Sequence, residues 1–381
     1  MNFKQFRLSD FLERQYDEHI INDTDSYKRI TIRTKGKGIS VRDEVPGFEI
    51  GTKRQFYVKE GQFLLSKIDA MNGAFGIVPP SCNNGIVTGN FWTFQINSEV
   101  ILPKYLELLS IGEVFSSFSL KASTGTTNRK YLNEEAFLDL SISLPPIHEQ
   151  QRIIAKLDAI RSQLDRLRTL RIEQKQEVKQ FLYSRFLDTI KKTPYLSIHQ
   201  VAPVVRTPVE IIPEGEYEEL GVRGFGRGVF HKPTLHGIDL TWQKLYLISE
   251  GDLVISNIKA WEGAIAVATK NDDGRVASHR YLTCKTDTNQ LLPKFLCSYL
   301  LYPEGLEKIR FASPGSADRN RTLAVKRLEK IMVPIPPIEK QVEFVNLQEG
   351  VDRLMKKQIA QQTELDELFS SLLNKAFRGE L

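Results

Sequence analysis

The segment Arg33-Thr-Lys-Gly-Lys-Gly38 interleaves three cations with two glycines. Glycine lets backbone N–H groups approach an anion closely, and Arg or Lys beside it supplies charge. That is chemistry for holding phosphate, although a solvated turn would have the same composition. A related segment, Arg223-Gly-Phe-Gly-Arg-Gly228, follows 190 positions later. A second pair of loops is Lys121-Ala-Ser-Thr-Gly-Thr-Thr-Asn-Arg-Lys130 and Ser313-Pro-Gly-Ser-Ala-Asp-Arg-Asn-Arg321. Small hydroxyl residues, Asn and Arg can hydrogen-bond to phosphates and to base edges. A third pair, Lys67-Ile-Asp-Ala-Met-Asn72 and Asn257-Ile-Lys-Ala-Trp-Glu262, keeps Ile and Ala but changes the polarity and size of the residues between them. A constant scaffold with altered loop chemistry suits two modules that read different sequences; surface drift would look similar. Asn reads adenine and Arg reads guanine through paired hydrogen bonds, each worth about 1–3 kcal/mol of discrimination. The candidate contact residues are therefore Arg33, Lys35, Lys37, Lys67, Asn72, Thr126, Thr127, Asn128, Arg129 and Lys130, with Arg223, Arg227, Asn257, Lys259, Trp261, Arg319, Asn320 and Arg321.

Catalytic constellations are missing from the pattern. The six histidines (His19, His148, His199, His231, His236, His279) form no HExxH and no pairing with cysteine. There is no GxxxxGK[ST] phosphate loop and no GxSxG elbow. The Gly221–Gly228 stretch lacks GxGxxG spacing, and no Asn/Asp-Pro-Pro-Tyr/Phe tetrapeptide of amino-methyltransferases occurs. The expectation is a non-enzymatic chain with no metal site.

Composition agrees with a soluble protein of more than one core. The chain has 381 residues, 41% apolar and 26% charged, and a mean hydropathy of −0.28. No apolar run approaches the ~18 residues of a membrane span, and the first residues do not read as a signal peptide. Three cysteines without metal spacing suit a reducing, cytoplasmic setting. The net charge of +5 permits a polyanionic partner without demanding one.

The paired loops belong to a longer repeat. Glu60, Gly61, Ser66, Ile68, Ala70, Gly73 and Ala74 recur as Glu250, Gly251, Ser256, Ile258, Ala260, Gly263 and Ala264, all at an offset of 190. Leu102-Pro-Lys104 recurs at Leu292-Pro-Lys294. One residue of drift then aligns Pro145-Pro-Ile147 and Gln150 with Pro336-Pro-Ile338 and Gln341. The chain is a tandem duplication. Each copy begins with α+β material. Phe63–Leu65, Gly76–Val78, Phe91–Phe94 and Leu140–Leu144 read as strands, and Pro103–Leu109 and Pro293–Leu300 as helices with Pro in the first turn. Each copy then passes a Pro-Pro step into a long helix, about Glu149 to Leu187 and Ile338 to Phe377. Ile153, Leu157, Ile160, Leu164, Leu167, Val178 and Phe181 mark a coiled-coil seam, matched by Leu347, Val351, Leu354, Leu365, Leu368 and Leu372. The seam turns polar at Arg171 and Gln174 and at Gln358 and Gln361; alternatively Ile172 and Ile359 replace them inside.

The expected fold is α+β. Two similar domains, 1–144 and 191–335, sit at opposite ends of an antiparallel two-helix coiled coil formed by 145–190 and 336–381, with pseudo-two-fold symmetry. Two weak readers on one rod multiply their effects when the half-site spacing fits, which predicts a split target with an unread spacer.

Leu144-Pro-Pro-Ile-His-Glu-Gln-Gln-Arg-Ile-Ile154, its echo Ile335-Pro-Pro-Ile-Glu-Lys-Gln341, and the terminal Ala376-Phe-Arg-Gly-Glu-Leu381 resemble the specificity subunits of type I restriction–modification enzymes. The two-copy layout extends the resemblance over essentially the whole chain. Lys340 stands where the first copy has Glu149, a departure from the family's Glu-Gln step. The resemblance implies two target-recognition domains on double-stranded DNA, and helices that dock two modification (methyltransferase) subunits. It implies no cofactor on this chain; S-adenosylmethionine belongs to the methyltransferase partners, and ATP and Mg to restriction subunits. A free-standing bipartite DNA-binding protein, or a module of another defence system, is the alternative. A scaffold that binds protein is a third reading, separable by its weak salt dependence.

Overall fold

The computed structural model describes residues 3–34, 36–111, 113–124, 131–240, 244–315 and 321–380. It resolves into two compact units: Met1–Leu170 with Ile359–Leu381, and Arg171–Gln358. Both are α+β.

Unit 1 carries a four-stranded sheet, ordered Leu12–Gln15, Phe91–Ile96, Phe63–Ser66, Phe75–Ile77, with antiparallel neighbours. A five-stranded sheet is ordered Glu18–Ile20, Arg54–Val58, Gly85–Val87, Ser26–Ile32, Ile39–Pro46. Phe63, Phe75, Phe94, Phe115 and Phe137 form one buried aromatic cluster beneath the first sheet. Ring centroids such as Phe63–Phe115 lie 5.6 Å apart and edge-on, the arrangement favoured by aromatic quadrupoles. Unit 2 repeats the central part. Strands Ile265–Val267, Leu253–Ser256 and Tyr281–Cys284 pair in the same order, 190 positions on. The short 3-10 turns Gly47–Glu49, Ala70–Asn72 and Pro80–Cys82 likewise recur at Gly237–Asp239, Ala260–Glu262 and Lys270–Asp272.

The first long helix is Ile147–Ile190 and the second Ile338–Phe377. Each contributes to both cores. In unit 1, Ile153 and Leu157 of the first and Leu373 and Ala376 of the second are buried. In unit 2, Phe186 of the first meets Phe344 of the second edge-on at 5.2 Å. The expected heptad seam holds in part: Ile153, Leu157 and Leu164 are buried, whereas Leu167, Phe181, Leu354 and Leu368 are exposed, and Leu182, Phe186, Ile190, Phe344 and Leu373 are buried beside them. Leu182, Phe186 and Ile190 are spaced by four, the stripe of a straight helix packed on a globular core. A 3.5-residue seam would need supercoiling that this contact does not require. At mid-helix the polar residues pair within unit 2 without being buried. Gln358 Nε2 donates to Gln174 Oε1 at 3.0 Å, and Arg171 Nη1 donates to the Gln358 carbonyl at 3.2 Å. Gln174 and Gln361 are exposed, and Ile172 and Ile359 are 64% and 68% exposed, so neither expected layer is buried there.

Each helix is fastened to its domain by one fully buried glutamine. Gln150 Oε1 accepts from Leu102 N at 2.9 Å, and its Nε2 donates to the carbonyls of Val100 and Pro145, both at 2.9 Å. Gln341 repeats the scheme with Leu292 N at 2.9 Å and the carbonyls of Gln290 and Pro336 at 2.8 Å each. The amide satisfies the first carbonyl of the Pro-Pro step together with an N–H and a carbonyl of the segment that precedes Pro103 or Pro293, and so ties the two together.

Candidate nucleic-acid interface

In unit 1, Lys67 follows the buried strand Phe63–Ser66. Its N–H donates to the Asn90 carbonyl, and its own carbonyl accepts from Leu132 N, both at 2.9 Å. Three residues later the 3-10 turn Ala70–Asn72 ends at Gly73, whose φ of +76° suits glycine. The Gly73 carbonyl accepts from Gly36 N at 3.1 Å, which brings in the basic glycine loop. That loop is closed by Arg33 N donating to the Gly38 carbonyl at 3.0 Å. Three segments far apart in sequence therefore meet at one place. Leu132 lies just beyond the polar loop 121–130, so this pairing brings the exit of that loop to Lys67.

Unit 2 has the same bonds. Asn257 N donates to the Arg280 carbonyl at 2.8 Å, and Leu323 N to the Asn257 carbonyl at 2.7 Å. Gly226 N donates to the Gly263 carbonyl and Arg223 N to the Gly228 carbonyl, both at 2.9 Å. Gly36 and Gly226 both have φ +63°, and Gly38 and Gly228 have +81° and +79°. A Cβ on Gly226 would also lie 2.9 Å from Leu301 Cδ1. The residues kept between the copies are those that make this frame: Ser66 and Ser256 are buried, Ala70 and Ala260 are at most 1% exposed, and the glycines take the left-handed turns.

The side chains mounted on the frame differ. In unit 1, Arg33, Lys37 and Asn72 are exposed and Lys67 is partly exposed. Asn72 Nδ2 lies 3.5 Å from Asp69 Oδ1. In unit 2, the Arg321 guanidinium lies 5.2 Å from the Trp261 ring, within cation–π range. Trp261 Nε1 donates to the Ile258 carbonyl at 3.2 Å, and Arg310 Nε to the Trp261 carbonyl at 3.3 Å. Arg223 Nη1 donates to the Val229 carbonyl and Arg227 Nε to the Gly224 carbonyl, both at 3.0 Å. Both guanidiniums stay exposed with donors to spare. Lys259 is ion-paired, with both Glu262 carboxylate oxygens within 3.0 Å of its Nζ. Asn257 Oδ1 is buried and accepts no hydrogen bond from the described residues.

Thus Arg33, Lys37, Lys67 and Asn72 share one region of unit 1, and Arg223, Arg227, Asn257, Lys259, Trp261 and Arg321 one region of unit 2. Lys35, Thr126, Thr127, Asn128, Arg129, Lys130, Arg319 and Asn320 lie outside the described residues. A further segment escaped the sequence reading. Asn90 and Arg280 supply the carbonyls that hold Lys67 and Asn257, and so sit in the same cluster. The 190 offset aligns these two with each other, which was the available signal. The arrangement presents exposed cations, amides and one indole on rigid backbone, a surface suited to phosphates and base edges.

The family model for the type I restriction modification DNA specificity domain matches residues 2–180 and 218–365 of this chain. The HindI type I restriction enzyme specificity subunit of Haemophilus influenzae is 28% identical over 98 residues. That stretch is 26% of this chain and spans about a fifth (21%) of that relative's length. A solved structure described as the structural basis of complex assembly and conformational transition of the type I R-M system superposes with a TM-score of 0.73 at 21% identity, covering 100% of this chain and 98% of the other. The HsdS subunit from Thermoanaerobacter tengcongensis gives 0.60 at 20% identity, covering 100% and 97%. These two likenesses show the fold.

Proposed function

Because this chain belongs to the type I restriction–modification DNA specificity family, with both copies of its repeat matched, we propose that it selects the DNA sequence on which a type I restriction–modification complex acts. One observation carries the reading to the level of residues. The two units fix the same loops by the same backbone hydrogen bonds, yet mount different side chains on them. Two readers built alike and equipped differently recognise a bipartite site with unlike halves. Arg, Lys and Asn from the converged loops contact phosphates and base edges of double-stranded DNA. The long helices set the unread spacer and dock two methyltransferase subunits; restriction subunits join the assembly. The chain contributes recognition and no chemistry or cofactor of its own. S-adenosylmethionine is bound by the methyltransferase partners, and ATP and Mg by the restriction subunits. The complex works in the cytoplasm; no helix among the described residues is long and apolar enough to cross a membrane.

The test is to co-express the chain with the methyltransferase subunit encoded beside it and to map methylated adenines by single-molecule sequencing. A split motif with a constant spacer, lost when the chain is deleted, is the expected result. Unchanged methylation together with tight DNA binding by the isolated chain would replace this reading with a free-standing binder. Absence of DNA binding in either form would leave a protein scaffold.

A further inference from the structure

Two large apolar side chains of unit 2 stand in water beside its converged loops. Phe225, at the tip of the glycine loop, is 73% exposed, and Phe311, near the end of helix Pro303–Ala312, is 76% exposed. Phe225 has φ +60°, a left-handed conformation that a bulky L-residue avoids unless its surroundings impose it. Here the backbone imposes it. Phe225 N donates to the Glu262 carbonyl at 2.7 Å, and the next residue, Gly226, donates to Gly263 at 2.9 Å. Burial of the ring gives nothing back, because the ring is not buried. The loop holds an apolar group outward against its own preference, which points to something outside the chain.

The surroundings identify that partner's chemistry. The Arg227 guanidinium lies 5.7 Å from the Phe225 ring. Arg310 reaches the Trp261 carbonyl from the residue before Phe311, and Arg321 stacks on Trp261. Exposed aromatic rings among cations suit a polyanion that also carries apolar surface. The repeat sharpens the point. At the 190 offset, Phe225 aligns with Lys35 and Phe311 with Lys121. Lysine at such a position neutralises a phosphate; phenylalanine cannot. The apolar surface of a double helix lies at the bases, as the thymine 5-methyl in the major groove or as base faces at an opened step.

We infer that Phe225 and Phe311 are specificity-determining residues of unit 2, packing on bases of its half-site at positions that align with lysines in the sequence of unit 1. The inference rests on the proposal that both units bind DNA. It is tested with the full chain in its methyltransferase complex, by selecting bound duplexes from a random-sequence pool and then measuring affinity against salt. Phe225→Gly removes the ring and relaxes the left-handed turn, and Phe311→Ala shortens an exposed side chain, so unchanged thermal unfolding verifies the fold of each. The expected result is loss of base preference at one or two positions in one half of the motif only. Affinity for the selected site falls about tenfold at an unchanged salt slope. Phe225→Lys should lose the same preference while steepening the slope of log K against log salt by about 0.9, one phosphate's worth. Replacing thymine by uracil at the weakened position reproduces the loss if the methyl is the contact, and leaves affinity unchanged if a base face is. An unaltered motif in both Phe225→Gly and Phe311→Ala would overturn the inference. So would a uniform loss on all sequences with a shallower salt slope, since that is the behaviour of a phosphate contact. A wild-type complex that enriches no motif would remove the proposed function itself, and this inference with it.

Discussion

Replacing Gln150 by Leu should unfasten the first long helix from unit 1 without changing the volume at the junction much. The amide is fully buried and serves three backbone groups: the Leu102 N–H and the carbonyls of Val100 and Pro145. A buried polar group left unpaired costs about 1–3 kcal/mol. The N–H carries the full penalty; each carbonyl carries less, since small shifts can re-aim it. Together they come to roughly 3–5 kcal/mol. Removing a polar side chain from the core and burying a leucine returns roughly 1–2 kcal/mol. The net loss is about 1–4 kcal/mol, or roughly 2–16 °C in Tm for a domain of this size. Hydrogen exchange read by mass spectrometry localises the effect: protection of the Leu102 amide and of unit 1 falls, while peptides of unit 2 hold. Gln341→Leu should show the converse at Leu292. A loss under about 0.5 kcal/mol, with Leu102 still protected, would refute the view that these bonds anchor the helix.

Asp252 is buried, and burial raises its pKa above the ordinary carboxylate value despite the hydrogen bond from Ser249 N. The repeat places Gln62 at this position in unit 1, with the equivalent bond from Lys59 N. A raised acid means that wild-type stability declines as pH rises from the unfolded value near 4 to the folded one. Asp252→Asn should therefore match the wild type at low pH and equal or exceed its stability at pH 7 in denaturant titrations; marked destabilisation at pH 7 would contradict this. Asp272 goes the other way: burial acts to raise its pKa, but hydrogen bonds from the Thr269 N–H, His231 and the Thr269 hydroxyl outweigh it and hold it low. Its contribution is present above about pH 4 and lost as pH falls through the lower folded value, so Asp272→Ala should cost about 1–3 kcal/mol at pH 7, a gap that narrows on acidification. Gly226→Ala meets both a left-handed φ and the Leu301 side chain. It should destabilise unit 2 by about 1–2 kcal/mol and weaken DNA binding by that unit's half-site, whereas Gly228→Ala, with open space around its Cβ, should cost less. Arg168→Ala breaks an exposed pair with Asp366, and denaturant melts should move by less than about 1 kcal/mol.

The duplication was legible because the residues that enforce it are chemically constrained. Glycines at left-handed turns, buried serine and alanine, and prolines before the helices tolerate few replacements, so their spacing persists as the rest drifts. The strands Phe63–Ser66 and Phe91–Ile96 stood out as short apolar runs. The hairpin of Ser26–Ile32 and Ile39–Pro46 did not, because Lys28, Arg29, Arg42, Asp43 and Glu44 break up the hydrophobic pattern. Its pairing is partly polar: Arg29 grips Asp43 across the strands with bonds of 2.6 and 2.7 Å. Helix existence was plain, but a run with both three- and four-residue spacings fits a heptad seam and a core-facing stripe alike. Which residues are buried then depends on the domain against which each end packs. For the candidate interface, composition marked the loops one by one. Their meeting at Lys67 and Asn257 rests on backbone bonds between distant segments, which leave no trace in side-chain identity.

That last property bears on how such a protein changes over generations. The backbone of Lys67 and of Asn257 is held by its own N–H and carbonyl groups, so these bonds are indifferent to what the side chain is. A mutation at the partly exposed Lys67 rewrites what the surface offers a ligand while the backbone bonds that hold the segment persist. Most proteins sit close to their stability threshold, and new function is commonly limited by the destabilisation that accompanies it. Here the two are separated along the chain: Ser66, Gly73 and their counterparts bear the folding constraint, while their neighbours are open to selection. A lineage under pressure to change its target can then explore substitutions singly, without compensating mutations elsewhere.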